Sequence, residues 1–204
     1  MSRFDSLPAP VRAVGETLVT LLVAVVIAYL AQAFVIKPYR VPSGSMIATL
    51  LPGDRVLADR ISLRFKDPER YQIVVFHPPS CRAPFNGADG VCTSSRLDHR
   101  NGTADDTFIK RVIGLPGETL FTDPQNRVWA RAPGERAHML DEPYLNGAQT
   151  LNLDRVKVPE GYYFLMGDNR SNSADSRVWG PEPDDEILGI ARARYWPLDR
   201  LGLL

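Results

Sequence analysis

Apolar positions are massed near the start of this chain and dispersed after it. The segment LVTLLVAVVIAYLAQAFVI, Leu18 to Ile36, runs nineteen residues with only Thr20 and Gln32 markedly polar. As a helix it reaches about 28 Å, against a hydrocarbon core of roughly 30 Å. No polar stripe interrupts it, so a membrane span fits better than a helix buried in a soluble core. Ala31-Gln32-Ala33 has the form of a leader cleavage site, which makes a removable signal peptide the rival reading. The long flank carrying Arg3, Asp5, Arg12 and Glu16 favours a retained anchor, as does an apolar run longer than the usual h-region of about 7 to 15 residues. The expected division is a tail over 1–17, an anchor over 18–36 and a folded domain over 37–204.

Beyond the anchor the pattern changes to short β-branched and aromatic runs broken by turn residues. IVVFHPP (73–79) predicts a strand ending at its prolines, and TFIKRVIGLPGE (107–118) a strand closed by a Gly-Leu-Pro-Gly turn. A loop insertion lies between them near 80–106. Segments broken by DPQN, APGE, EPYLNG and VPEG predict a small β subdomain near 118–160. GYYFLMGDNRSNSADSRVWG (161–180) passes from an aromatic strand into a polar turn, and ILGIARARYWPL (187–198) predicts a last strand bent at Gly189. The fold class expected is mainly β: an antiparallel sheet domain with a smaller inserted β subdomain, behind one N-terminal transmembrane helix.

Composition supports this and removes one class of function. Seventeen prolines and fifteen glycines suit a β-rich domain with many turns. Lys plus Arg and Asp plus Glu both count 24, so there is no basic field to draw nucleic acid. Arg3 and Arg12 before the anchor balance Lys37 and Arg40 after it, and the positive-inside count is a tie. The only two cysteines, Cys81 and Cys92, bracket a turn-rich loop. A disulfide there fits an oxidising compartment and puts the large C-terminal part outside the cytoplasm; two free thiols are the alternative. A zinc site would want four ligands, which these two cysteines do not supply.

The chemistry begins at VPSGSMIATLLPGDRV (41–56), where two serines flank a glycine just past the anchor. A serine hydroxyl is a weak nucleophile and needs a base within hydrogen-bond reach. His77, His99 and His138 sit at strand ends or in loops. Lys110 lies in FIKRVIG, where alternation turns it to the face of Phe108 and Val112, and burial there would lower its pKa. On spacing alone, a Lys-Arg pair in a strand more often extends to water.

Taken in order, PSGSM, FIKRVIGLPGE and MGDNRSNSADSRVWG behind an N-terminal anchor resemble the type I signal peptidases, the Ser/Lys leader peptidases. The resemblance runs from the anchor to about Ile190 and is weakest across 80–106 and 120–160. It implies Ser45 as nucleophile and Lys110 as general base, with the Ser43 hydroxyl and the Ser45 backbone N–H as oxyanion hole. It implies that Ser173 orients the lysine, and that Asp168, Asn169, Arg170, Asp175 and Arg177 give structural support. Tyr39, Val41, Met46, Val75 and Ile109 match positions lining shallow apolar pockets, which take small residues at the first and third positions before the cut.

The resemblance also implies no metal or cofactor, and an enzyme of the bacterial cytoplasmic membrane. It would be single-pass, with its N-terminus cytoplasmic and its catalytic domain extracytoplasmic. Its partners would be preprotein signal peptides and the lipid bilayer. A calcium loop in 168–179 fails the EF-hand pattern, with Ser173 where glycine is needed and Trp179 where glutamate is. Two positions depart from the family: Ala48, usually proline, and Ser171, often acidic. Ser45 lies nine positions beyond Ile36, at most about 30 Å of extended chain, which sets the nucleophile near the bilayer surface. A related Ser/Lys processing peptidase with a dedicated substrate, a Ser/His/Asp hydrolase and a non-enzymatic anchored β module stay open as alternatives.

Overall fold

β-branched and aromatic runs become strands, and proline, glycine and Asx positions become the turns between them. The computed structural model describes residues 9–77, 107–145 and 153–204, with the side chains of its first helix described over 13–26. The strands are β1 (Ile36–Arg40), β2 (Arg55–Asp59), β3 (Ile73–Phe76), β4 (Phe108–Gly114), β5 (Thr119–Thr122), β6 (Val128–Arg131), β7 (His138–Met139) and β8 (Val156–Lys157). After them come β9 (Tyr162–Met166), β10 (Glu182–Pro183), β11 (Ile187–Trp196) and β12 (Gly202–Leu203). Two helices complete the chain, α1 (Ala9–Phe34) and the single-turn α2 (Ser176–Trp179).

The main sheet has the order β1-β2-β11-β3-β4-β9-β10, with β12 paired to β11; the smaller sheet runs β7-β6-β5-β8. Every pairing among the described residues is antiparallel, so the region after α1 is mainly β, as expected. β3 and β4 lie at the centre and are covered on both faces. Ile73, Val75 and Ile109 point into one cluster with Tyr39, Met46, Leu50 and Val56. Val74, Phe76 and Val112 point into another with Leu165 and Trp179. That alternation is the strand period of two, with each face buried against a different partner. A third cluster joins Ile113 and Phe164 of the main sheet to Leu120, Val128 and Val156 of the smaller one.

The last strand is not the last element. β11 shifts register at Gly189 and again near Ala193 and Trp196, and the chain then returns as β12, a two-residue strand too short to leave a periodic signal.

The expected anchor over 18–36 falls on α1, 26 residues long, except at its end, where the helix stops at Phe34 and Ile36 opens β1 opposite Asp59. Among the described residues no helix is long and apolar enough to cross a membrane. The described apolar side chains of α1, including Leu18, Leu21, Leu22, Val23 and Val25, are all exposed and touch no protein core. Cys81, Cys92 and His99 lie outside the described residues, as does the 80–106 insertion.

Candidate active site

Ser45 sits in a tight loop between β1 and β2. Pro42 ends the strand direction, Ser43 stays extended (φ −138, ψ 167), and Gly44–Met46 form one 3-10 turn. Met46 and Leu50 are fully buried and pin the loop to the core. Asp54 closes it: its carbonyl accepts from Val41 N at 2.8 Å, and its carboxylate accepts from Leu51 N at 2.9 Å.

A second segment grips the loop from the far side. The connection from β9 to α2 donates two hydrogen bonds from Asn169, one from its backbone N–H to Ser45 O at 2.9 Å and one from Nδ2 to Gly44 O at 3.0 Å. Close approach requires Gly167 on β9's exit, because a Cβ there would stand 2.5 Å from Ser45 O and 2.3 Å from Ser173 Oγ. Gly167 N donates to Asp175 Oδ2 at 3.0 Å, and Asp175 also caps α2 and pairs with Arg177 at 2.8 Å. Asp168 takes a bidentate grip from Arg111, at 2.9 Å from Nε and 2.6 Å from the terminal nitrogen, and accepts from Thr49 in the serine loop. The Arg111 guanidinium stacks 3.9 Å from the Tyr144 ring centroid. Arg170, fully buried, pairs with Glu142, which also accepts from Tyr144 Oη.

Lys110 reaches this loop from the centre of the sheet. β4 places it opposite Val74, on the face shared with Phe108 and Val112, and leaves it 3% exposed. Its Nζ lies 2.6 Å from Ser45 Oγ and 5.4 Å from the Phe108 ring centroid. Burial pushes the Lys110 pKa down from 10.5 to about 8, against the opposing pull of Asp175 and Asp168, with Arg177 adding to the depression. Ser43 Oγ lies 3.3 Å from Ser45 Oγ on the other side. An open cavity of about 360 Å³ reaches these groups, lined by Val41, Ser43, Met46, Phe108, Ile109 and Ala174 among others.

Not all of the expected residues meet at Ser45 and Lys110. Ser173 Oγ is buried and has no hydrogen-bond partner, so the bond expected from it to Lys110 is not formed. The lysine is held instead by sheet packing and by Ser45. Val75 is fully buried behind Ile109, its cross-strand partner, and lines no cavity at the site. Tyr39 opens on a neighbouring cavity rather than this one. His138 lies exposed on β7, and neither it nor His77 lines the cavity. Phe108, Asn172 and Ala174 also line the cavity and Gly167 is the point of closest approach; all four lie inside the quoted motifs, where no local pattern marks them. Among the described residues no cluster of His, Cys, Asp and Glu could hold a metal ion.

The chain is similar to known proteins over most of its length. The family described as signal peptidase, peptidase S26, matches the chain over residues 14–196. A probable signal peptidase I-1 of Synechocystis is 37% identical over 97% of this chain and 90% of its own length. A second Synechocystis protein, probable signal peptidase I-2, is 39% identical over 93% of this chain and 75% of its own. The signal peptidase I of Mycobacterium tuberculosis is 29% identical over 97% and 77% respectively. A crystal structure of a signal peptidase I from Enterococcus faecalis covers 61% of this chain and 97% of that one, at 27% identity and a TM-score of 0.42.

Proposed function

The chain belongs to the signal peptidase family, peptidase S26, and from that premise we propose that it removes signal peptides from preproteins by a Ser45–Lys110 dyad, held at the membrane by the apolar run Leu18–Ile36. The observation that carries the dyad is the 2.6 Å approach of a buried lysine amine to a serine hydroxyl. Neutral Lys110 accepts the Ser45 proton as Oγ attacks the scissile carbonyl, and a tetrahedral oxyanion forms. Ser43 Oγ and the Ser45 backbone N–H are the donors assigned to that oxyanion. Lys110 then protonates the leaving amine, and a water that gives its proton to the same lysine hydrolyses the acyl-enzyme.

Asp168, Asn169, Arg170, Asp175 and Arg177 act as a brace rather than as reactants. They hold the serine loop, so that the nucleophile meets its base without a search. Small side chains are favoured before the cut because Val41, Met46 and Ile109 leave a shallow apolar cavity beside Ser45. Sequence hydropathy and the exposed apolar side chains between Leu18 and Val26 support anchoring. The tail over 1–17 would then lie on the cytoplasmic side and residues 37–204 on the other.

The test is cleavage of a preprotein by detergent-solubilised protein, with the cut located by mass spectrometry. Cleavage after the signal peptide by the wild type, abolished in Ser45→Ala, is the expected result. Equal cleavage by Ser45→Ala contradicts the assignment.

A further inference from the structure

Next to the active-site cavity lies a larger one of about 640 Å³, sharing Val41 and Pro42 with it and bounded by Tyr39, Tyr195, Arg40 and Arg55. Its two arginines are direct cross-strand partners on β1 and β2, and both are exposed. Like charges placed opposite each other on a sheet face repel. No carboxylate relieves them among the described residues: neighbouring Asp54 is turned to Arg200 at 2.7 Å and to Leu51 N. Among the described residues the pair therefore offers two guanidinium groups without a carboxylate partner, beside the site.

The edge of the sheet determines which part of a bound peptide would meet them. Among the described residues β1 pairs only with β2, and no described strand covers its other edge. Val41 turns both its N–H and its C=O inward, to Asp54 O and Gly53 N. By strand alternation the N–H and C=O of Arg40 face that other edge. A peptide extended along that edge has the residue opposite Arg40 on Arg40's face, while its two neighbours point with the buried Tyr39 and Val41. If the first and third residues before the cut are the ones pointing inward, the second lies over the arginine pair.

We propose that Arg40 and Arg55 form an anion subsite that selects an acidic side chain at the second position before the cleaved bond. The inference rests on the proposed peptidase reading and adds a charge preference to it. A carboxylate there gains a charge-assisted contact and relieves the repulsion between the arginines, whereas a lysine adds a third cation.

Three peptides differing only at that position, with Asp, Asn or Lys, test the proposal in uncharged detergent. For the wild type, kcat/KM should favour Asp over Lys on the order of 3- to 10-fold, with Asn between, as suits partly exposed pairs. Arg40→Glu with Arg55→Glu should reverse the order. Because the ratios are read within each protein, a general loss of activity in the variant does not imitate the result. Equal turnover of all three peptides by wild type, or an unchanged order in the double variant, overturns the subsite. So does an effect of the double substitution seen only with vesicles containing anionic lipid, which would make the pair a headgroup contact. If none of the peptides is cut, the peptidase reading fails and the subsite with it; if all are cut alike, the subsite alone fails.

Discussion

At the scale of single residues, two neighbours of Ser45 decide whether it can react. Lys110 is useful only when neutral, and its burial brings that state within reach of ordinary pH. Activity should rise with pH through an apparent pKa near 8 in a pH–rate profile of kcat/KM, and a limb near 10.5 would mean that the amine is not desolvated in solution. Stability carries the same sign. The folded state gives up the Lys110 proton below the unfolded value, so the penalty for the buried ammonium is complete below about 8 and fades as pH rises towards 10.5. Lys110→Met should therefore be more stable than wild type at pH 6 to 7, by up to about 3 kcal/mol. Thermal melts at pH 6.5 check it; an unchanged or lower Tm argues against a strained ammonium. Gly167 acts through space alone. Gly167→Ala must push Ser45 or Ser173 aside, and loss of kcat by at least about 10-fold with little change in KM is expected from a displaced nucleophile.

At the scale of elements, the β9–α2 connection and β4 work as two jaws. Arg111 on β4 and Asp168 in the connection form a buried bidentate pair that fastens the jaws beside the serine loop. Removing one partner leaves the other charge buried, which costs about 3 to 5 kcal/mol. Asp168→Ala should shift the denaturation midpoint by that amount and lower activity; a loss under about 1 kcal/mol would show the pair to be solvated. β10 bears a different burden. Both Glu182 oxygens are buried, and burial, aided by Glu186 and opposed by the nearby Trp179 indole N–H, raises its pKa to about 8. A folded pKa above the unfolded one means that stability is full below about 4.5 and declines as pH rises through 8. Glu182→Gln should flatten that decline, as followed by urea midpoints between pH 5 and 9. The turn residues and β-branched runs made β3, β4, β9 and β11 legible in advance. α2 and β12 were not, since a single helical turn capped by Asp175 and a two-residue strand leave no period to detect.

At the scale of the whole molecule, the pair at the centre was legible only through the order of its motifs. Ser45 and Lys110 stand 65 positions apart, and neither local pattern distinguishes a nucleophile from a turn serine or a base from a surface lysine. The fold supplies what spacing lacks, by carrying β4 through the middle of the sheet and folding the serine loop over it. Pocket roles were harder to foresee: Val75 and Tyr39 are buried as expected for lining residues, yet burial alone does not tell whether a side chain backs a pocket or opens on it. If Leu18–Ile36 anchors the chain, protein purified from membranes should begin before Phe34, and N-terminal sequencing starting at Phe34 would mark Ala31-Gln32-Ala33 as a cleaved leader. The central claim is that Lys110 serves Ser45 as base, and the most direct measurement is the cleavage rate of one preprotein by Lys110→Met beside wild type and the alanine variants of His77, His99 and His138. The account predicts a loss of several orders of magnitude for Lys110→Met, with all three histidine variants active. A near wild-type rate for Lys110→Met, with one histidine variant dead, would contradict it.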